Sequence, residues 1–213
     1  MDDAVLNPKL AGPLPPKSID LDGVERATRD LLVALGQSGK AEVMANTPRR
    51  VAELYNEWFN APWADIEEAF KVFPNPEADR EDAQLITVLD AHYTSLCEHH
   101  LAPAFGVAHV AYVPGEYIVG YSKLKKGLNY LARQPQLNER IVRDTLDFVE
   151  ARLQPKGIAL VTQSVHCCIA VRTNAPAQEV VTISEYRGLL ASERYGAAFD
   201  RQWANHKPLF LGQ

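Results

Sequence analysis

The chain has 213 residues, 46% of them hydrophobic and 23% charged, which fits one soluble domain with a terminal extension. Lys+Arg number 22 against Asp+Glu 27, a net charge of -5. That balance argues against a protein that mainly grips a nucleic-acid backbone, and the lack of any run of about 18 apolar residues argues against a membrane span.

Residues 1–17 hold Pro8, Pro13, Pro15 and Pro16 with little apolar periodicity and read as an extended arm. A helix is expected from about Leu21 to Leu35, capped by Asp20 or Asp22, because Val24, Ala27, Leu31 and Leu35 recur at helical spacing. Asn46-Thr47-Pro48 reads as the start of a second helix, with Val51, Leu54, Tyr55, Trp58 and Phe59 on its apolar face. Residues 64–70 suit a short helical piece. The pattern changes near Gln84. Leu85 to Leu89 reads as a strand, and 104–113 with 117–121 as a hairpin around Pro114-Gly115. Helices follow over about 122–133 and 136–153, divided by Pro135. Strands are expected over 157–172 and 178–184, and a last helix from about Ser192 to His206. Helices, strands, helices, strands, helix is an α+β order, not an alternating βαβ one.

The chemistry concentrates in two short clusters. The chain has three cysteines, Cys97, Cys167 and Cys168, an odd number with two adjacent, which makes a poor disulfide framework. Near histidines in a reducing compartment they read as metal ligands. In Cys97-Glu98-His99-His100, the spacing lets Cys97 and His100 reach one ion from a loop. Thiolate and imidazole together suit zinc. In His166-Cys167-Cys168, read as part of a strand, His166 and Cys168 share one face and Cys167 points away. With Cys168 as third ligand, a fourth position stays open for water, as in catalytic zinc sites. His99 and His166 are then proton carriers beside it. Spacing alone leaves open a structural site closed by a fourth ligand, and also two unrelated core clusters.

Several separated motifs, taken together, resemble GTP cyclohydrolase I. They are Ser95-Leu96-Cys97-Glu98-His99-His100, Gly120-Tyr121-Ser122-Lys123-Leu124, Arg133-Gln134-Pro135-Gln136-Leu137-Asn138-Glu139-Arg140, and His166-Cys167-Cys168. The match runs from about Thr47 to Leu190. The resemblance implies a tunnelling fold: an antiparallel four-stranded sheet with two long helices on one face, preceded by N-terminal helices. It implies rings of subunits stacked into a homodecamer, with sites at subunit boundaries. Carried over by motif, the zinc ligands are Cys97, His100 and Cys168. His99 and His166 fall on catalytic histidines, and Ser122 on a residue that relays protons. Glu139 falls on the carboxylate that holds the guanine edge. Lys123, Lys126, Arg172 and Arg50 fall on the ribose and phosphate side. The implied reaction is hydrolysis of the purine imidazole ring of GTP, loss of formate, and rearrangement to dihydroneopterin triphosphate. On this basis residues 1–17 are an arm, 18–75 a helical region and 76–213 the catalytic domain of a cytoplasmic enzyme.

Departures from the family pattern lie mostly on the phosphate side. Glu53 stands where the family can carry lysine, either beside the phosphates or paired with Arg50. Lys126 replaces an arginine, losing the planar fork that grips phosphate from two sides. Ala175 stands where a basic residue is common, and Asn138 replaces the usual glutamine before Glu139. A paralogue acting on another guanine nucleotide, or stopping at a ring-opened intermediate, fits these departures. A silent regulatory partner fits them less well, because Cys97, His99, His100, Glu139, His166 and Cys168 are intact.

Overall fold

Asp20 opens the first helix. Its carboxylate accepts the amide of Gly23 at 2.9 Å, and α1 runs over Leu21–Ala34. The second helix, α2, spans Ala41–Phe59, so it begins before Asn46 and Pro48 lies inside it. Proline has no N–H to give the Met44 carbonyl. The Arg29 guanidinium of α1 donates to that carbonyl instead, at 2.8 Å, and the helix continues. Arg49 sits among Asp22, Glu25 and Glu53. Glu53 therefore accepts from Arg49 Nε at 3.0 Å, so of the two arrangements expected for it, the pairing with Arg50 gives way to one with Arg49.

The computed structural model describes residues 19–59, 66, 70–80, 84–173 and 179–206. The proposed arm at 1–17, nearly all of the helical piece at 64–70, and Ala175 lie outside them. The chain divides into two compact units between Ala64 and Asp65; α1 and α2 belong to the first.

The second unit is built on strands. Strand β1 is Val72–Pro74, β2 is Ile86–Cys97, β3 is Pro103–Val113 and β4 is Tyr117–Val119. Helix α3 covers Tyr121–Ala132, β5 is the pair Pro135–Gln136, and α4 covers Asn138–Leu153. Strand β6 is Gly157–His166, α5 is Cys167–Thr173, β7 is Val181–Gly188 and α6 is Glu193–Ala204. The main sheet has the order β5-β2-β3-β6-β7. Its four long strands are antiparallel, and β5 adds a short parallel contact to Leu96 and Cys97. Two expectations are corrected. Residues 117–119 do not return along β3; they pair with β1 as a separate small sheet, Val72 opposite Val119. The strand expected to reach residue 172 stops at His166, where α5 begins.

Alternation along the strands gives the sheet two apolar faces. Ala108, Val110, Tyr112, Ile158 and Leu160 pack under Leu124 and Leu128 of α3 and Ile141, Leu146 and Phe148 of α4. Ala111, Val113, Ala159 and Val161 face the other way, toward Leu190, Phe199 and the partly buried Trp203. No helix among the described residues is long and apolar enough to cross a membrane.

Candidate metal centre and active site

Cys97 ends β2, and the chain turns at once. Leu101, with a left-handed φ of 49°, donates its amide to the Cys97 carbonyl at 2.8 Å. The Cys97 amide donates to the Ala102 carbonyl at 2.9 Å. Residues 98–100 thus complete one helical turn, and side chains three apart meet. Cys97 Sγ lies 3.8 Å from His100 Nδ1. Cys168 Sγ lies 4.0 Å from Cys97 Sγ. All three donor atoms lie within 4.8 Å of one another, a Cys-His-Cys group that can hold a metal ion. A tetrahedral ion bonded at about 2.3 Å to sulfur and about 2.0 Å to nitrogen needs edges of about 3.8 and 3.5 Å. Burial first, and the Cys97 sulfur second, push the Cys168 thiol up. Two thiolates this close repel each other unless a cation shares them.

Cys168 reaches this group from the first turn of α5, not from a strand face shared with His166. His166 arrives by register: Ser95 pairs with Ala104, and Ala104 with His166. Cys97, two residues beyond Ser95, lies on the same face. Burial pulls the His166 imidazole below its ordinary value, and the Glu139 carboxylate opposes that shift.

Glu139 is exposed in the first turn of α4. Next to it, Arg140 Nη1 donates to Glu98 Oε2 at 2.9 Å. That pair ties the turn carrying His99 and His100 to the start of α4. Both residues stand inside the motifs, yet nothing in the sequence joins them beyond their opposite charge. His99 is exposed, its ring 6.2 Å from that of His100 and inclined by 78°. Ser122 and Lys123 open α3, with the Lys123 amide on the Gly120 carbonyl at 2.8 Å. Lys126, half-buried, follows one turn later. Arg172 is exposed on α5, and its charge acts on Cys168. The structure thus brings together Cys97, His100 and Cys168, and couples Glu139 to His166. Arg50 is exposed on α2, in the other unit. Sequence reasoning missed Ser164, whose Oγ lies 3.2 Å from His166 Nε2. The available signal was a serine two places before the histidine on a strand, and so on its face.

The family model for GTP cyclohydrolase I matches residues 24–199. A GTP cyclohydrolase 1 from Brevibacillus brevis is 36% identical over 178 residues, covering 83% of this chain and 92% of that protein. One from Thermoanaerobacter pseudethanolicus is 36% identical over 182 residues, covering 84% and 94%. One from Bacillus cytotoxicus is 38% identical over 178 residues, covering 82% and 91%. The matched span takes in both halves of the Cys-His-Cys group together with Glu139 and His166, so the chain belongs to the GTP cyclohydrolase I family and is a hydrolase acting on a guanine nucleotide.

Proposed function

We propose that the chain hydrolyses the guanine imidazole ring of GTP, releases formate and forms 7,8-dihydroneopterin triphosphate, with zinc as its metal. The observation that carries this is the Cys97, His100 and Cys168 group at the sheet end that also bears His166. Two thiolates and one imidazole suit zinc, and three protein ligands leave a fourth position open. Zinc bound there supplies Lewis-acid activation of the attacking water.

The remaining work falls to this chain's side chains. Glu139, exposed in the first turn of α4, accepts two parallel hydrogen bonds from the guanine ring N–H and exocyclic amine. His166 moves a proton at N7 as the ring opens. His99 and Ser122 handle protons in the later sugar rearrangement. Lys123, Lys126, Arg172 and Arg50 hold the ribose and triphosphate, with Lys126 giving a point charge where an arginine would give a fork.

The outer edges of the main sheet, open among the described residues, favour the homodecamer with sites at subunit boundaries that the family resemblance implies; the same resemblance is the ground for proposing a cytoplasmic enzyme serving pterin or tetrahydrofolate synthesis. The test incubates zinc-loaded protein with GTP, GMP and guanosine, then measures formate and, after oxidation, pterin fluorescence. Formate and pterin from GTP are expected. Formate without pterin means the reaction stops at a ring-opened intermediate, and neither product from GTP overturns the proposal.

A further inference from the structure

Beneath the first turn of α4, three buried polar side chains meet from three elements. Tyr93 of β2, Asn138 of α4 and Ser164 of β6 are 3%, 7% and 1% exposed. The Tyr93 hydroxyl donates to Asn138 Oδ1 at 3.0 Å. Asn138 Nδ2 donates to Ser164 Oγ at 2.9 Å. Ser164 Oγ in turn lies 3.2 Å from His166 Nε2.

We propose that Tyr93, Asn138 and Ser164 are positioning residues for His166, forming a one-way hydrogen-bond chain that fixes the orientation and tautomer of its imidazole. The proposal rests on the reading of His166 as a proton carrier. The first two links take their direction from the donor inventory. The phenol has one hydrogen and gives it to the amide oxygen, which turns the amide nitrogen toward Ser164. The serine hydroxyl accepts from that nitrogen and, in the proposed chain, turns its single hydrogen to Nε2 rather than to the neighbouring Tyr93 oxygen. Nε2 is then an acceptor, and the ring hydrogen sits on Nδ1, the nitrogen turned away from the chain. Burial excludes water that would compete for these groups.

The sheet is shaped to hold this chain. Tyr93, Gly106 and Ser164 stand opposite one another in a single row across β2, β3 and β6. A Cβ on Gly106 would lie 2.6 Å from Tyr93 Cε1 and 2.7 Å from its Cζ. The missing side chain on the middle strand is what lets the phenol lie across toward β6. Asn138 also precedes Glu139 directly, so the chain joins the helix start that carries the guanine carboxylate to the histidine. Asparagine rather than glutamine suits the short reach between the phenol and the serine.

The test uses the zinc-loaded full chain. Nitrogen chemical shifts of the histidine rings, recorded at one alkaline pH, report the tautomer of His166. Wild type is expected to show the Nδ1–H form, and Ser164→Ala a mixture. Ser164→Ala is also expected to lower kcat about tenfold at unchanged KM and zinc content, the lower end of the loss known for hydrogen-bond partners of metal-ligating histidines. Tyr93→Phe should do the same more weakly, and Ser164→Thr should restore the Nδ1–H signal. A Ser164→Ala protein with the wild-type tautomer overturns the proposal, whether or not kcat falls. Wild-type turnover in His166→Ala would instead overturn the proton-carrier reading, and the tautomer signal would still decide the chain itself.

Discussion

Cys97 and Cys168 hold two sulfurs 4.0 Å apart, and in the absence of a cation burial first, and that closeness second, favour the protonated thiol at Cys168. A divalent ion reverses the preference, because only thiolates ligate. Zinc uptake should therefore release protons, and Cys168→Ala should lose stoichiometric zinc. Metal analysis of the purified variant decides it: a full complement of zinc would remove Cys168 from the ligand set. His166→Ala is expected to keep its zinc while turnover falls by a factor of about 10² to 10⁴, the usual contribution of a positioned proton donor; zinc content and steady-state rates on one preparation check both halves. The Cys-His-Cys group was legible in the sequence because cysteine is scarce, three in 213 residues, and thiolates with imidazoles at short spacing have few other uses. The chain from Tyr93 to His166 was not legible. Tyr93 and Asn138 are 45 residues apart and Asn138 and Ser164 are 26 apart, and only the register across β3 brings them together.

Elements show where local pattern misleads. Helix α2 was expected to begin near Pro48, since proline favours a first turn. It begins at Ala41 because Arg29, on another helix, takes the carbonyl that Pro48 leaves free; no window confined to one helix contains that fact. Residues 104–113 and 117–121 looked like a hairpin because Pro114-Gly115 reads as a turn. Strand β3 instead has both edges filled, by β2 and β6, so β4 finds β1. The strand through His166 was read too far because Cys167 to Val171 are apolar and ambiguous in period. Gly106→Ala tests the row across the sheet. The added methyl meets the Tyr93 ring and the Gln163 carbonyl, the latter at 2.8 Å, and overpacking of this kind is expected to destabilise by about 1–3 kcal/mol, read from the urea midpoint. Helix α6 gives a pH prediction. His109 of β3 is fully buried, accepts the Asp90 amide at 3.4 Å and faces Trp203 and His206. Burial holds its imidazole below the ordinary value, against the raising influence of Gln163 and Asp90. The unfolded chain, with a histidine near about 6.5, then takes up a proton that the folded chain refuses. This contribution to stability is complete above that value and is lost as the pH falls below it. Urea unfolding of wild type and His109→Gln at neutral and mildly acidic pH should show a smaller acid loss in the variant; equal losses would clear His109.

At the scale of the molecule, the main sheet ends in two dissimilar edges. Beyond Leu96 and Cys97, the outer side of β2 has no strand partner among the described residues, and neither has the outer side of β7. Unpaired strand edges invite further strands, and joining unlike edges head to tail generates a ring when the rotation closes. A homo-oligomer larger than a dimer is therefore expected, measured by light scattering at micromolar concentration; a monomeric, fully active species would refute shared sites. The α+β class and the sheet-and-helix layering were legible from the element order and the family resemblance, whereas the edges exist only once the register is known. Helix α6 carries one more consequence. The Trp203 indole is stacked on the His109 ring, with centroids 5.9 Å apart and planes inclined by 18°. An imidazole against an indole alters the light that the indole emits, and does so differently with and without its extra proton. The emission of this tryptophan is therefore an intrinsic optical gauge of whether the final helix still lies on the sheet.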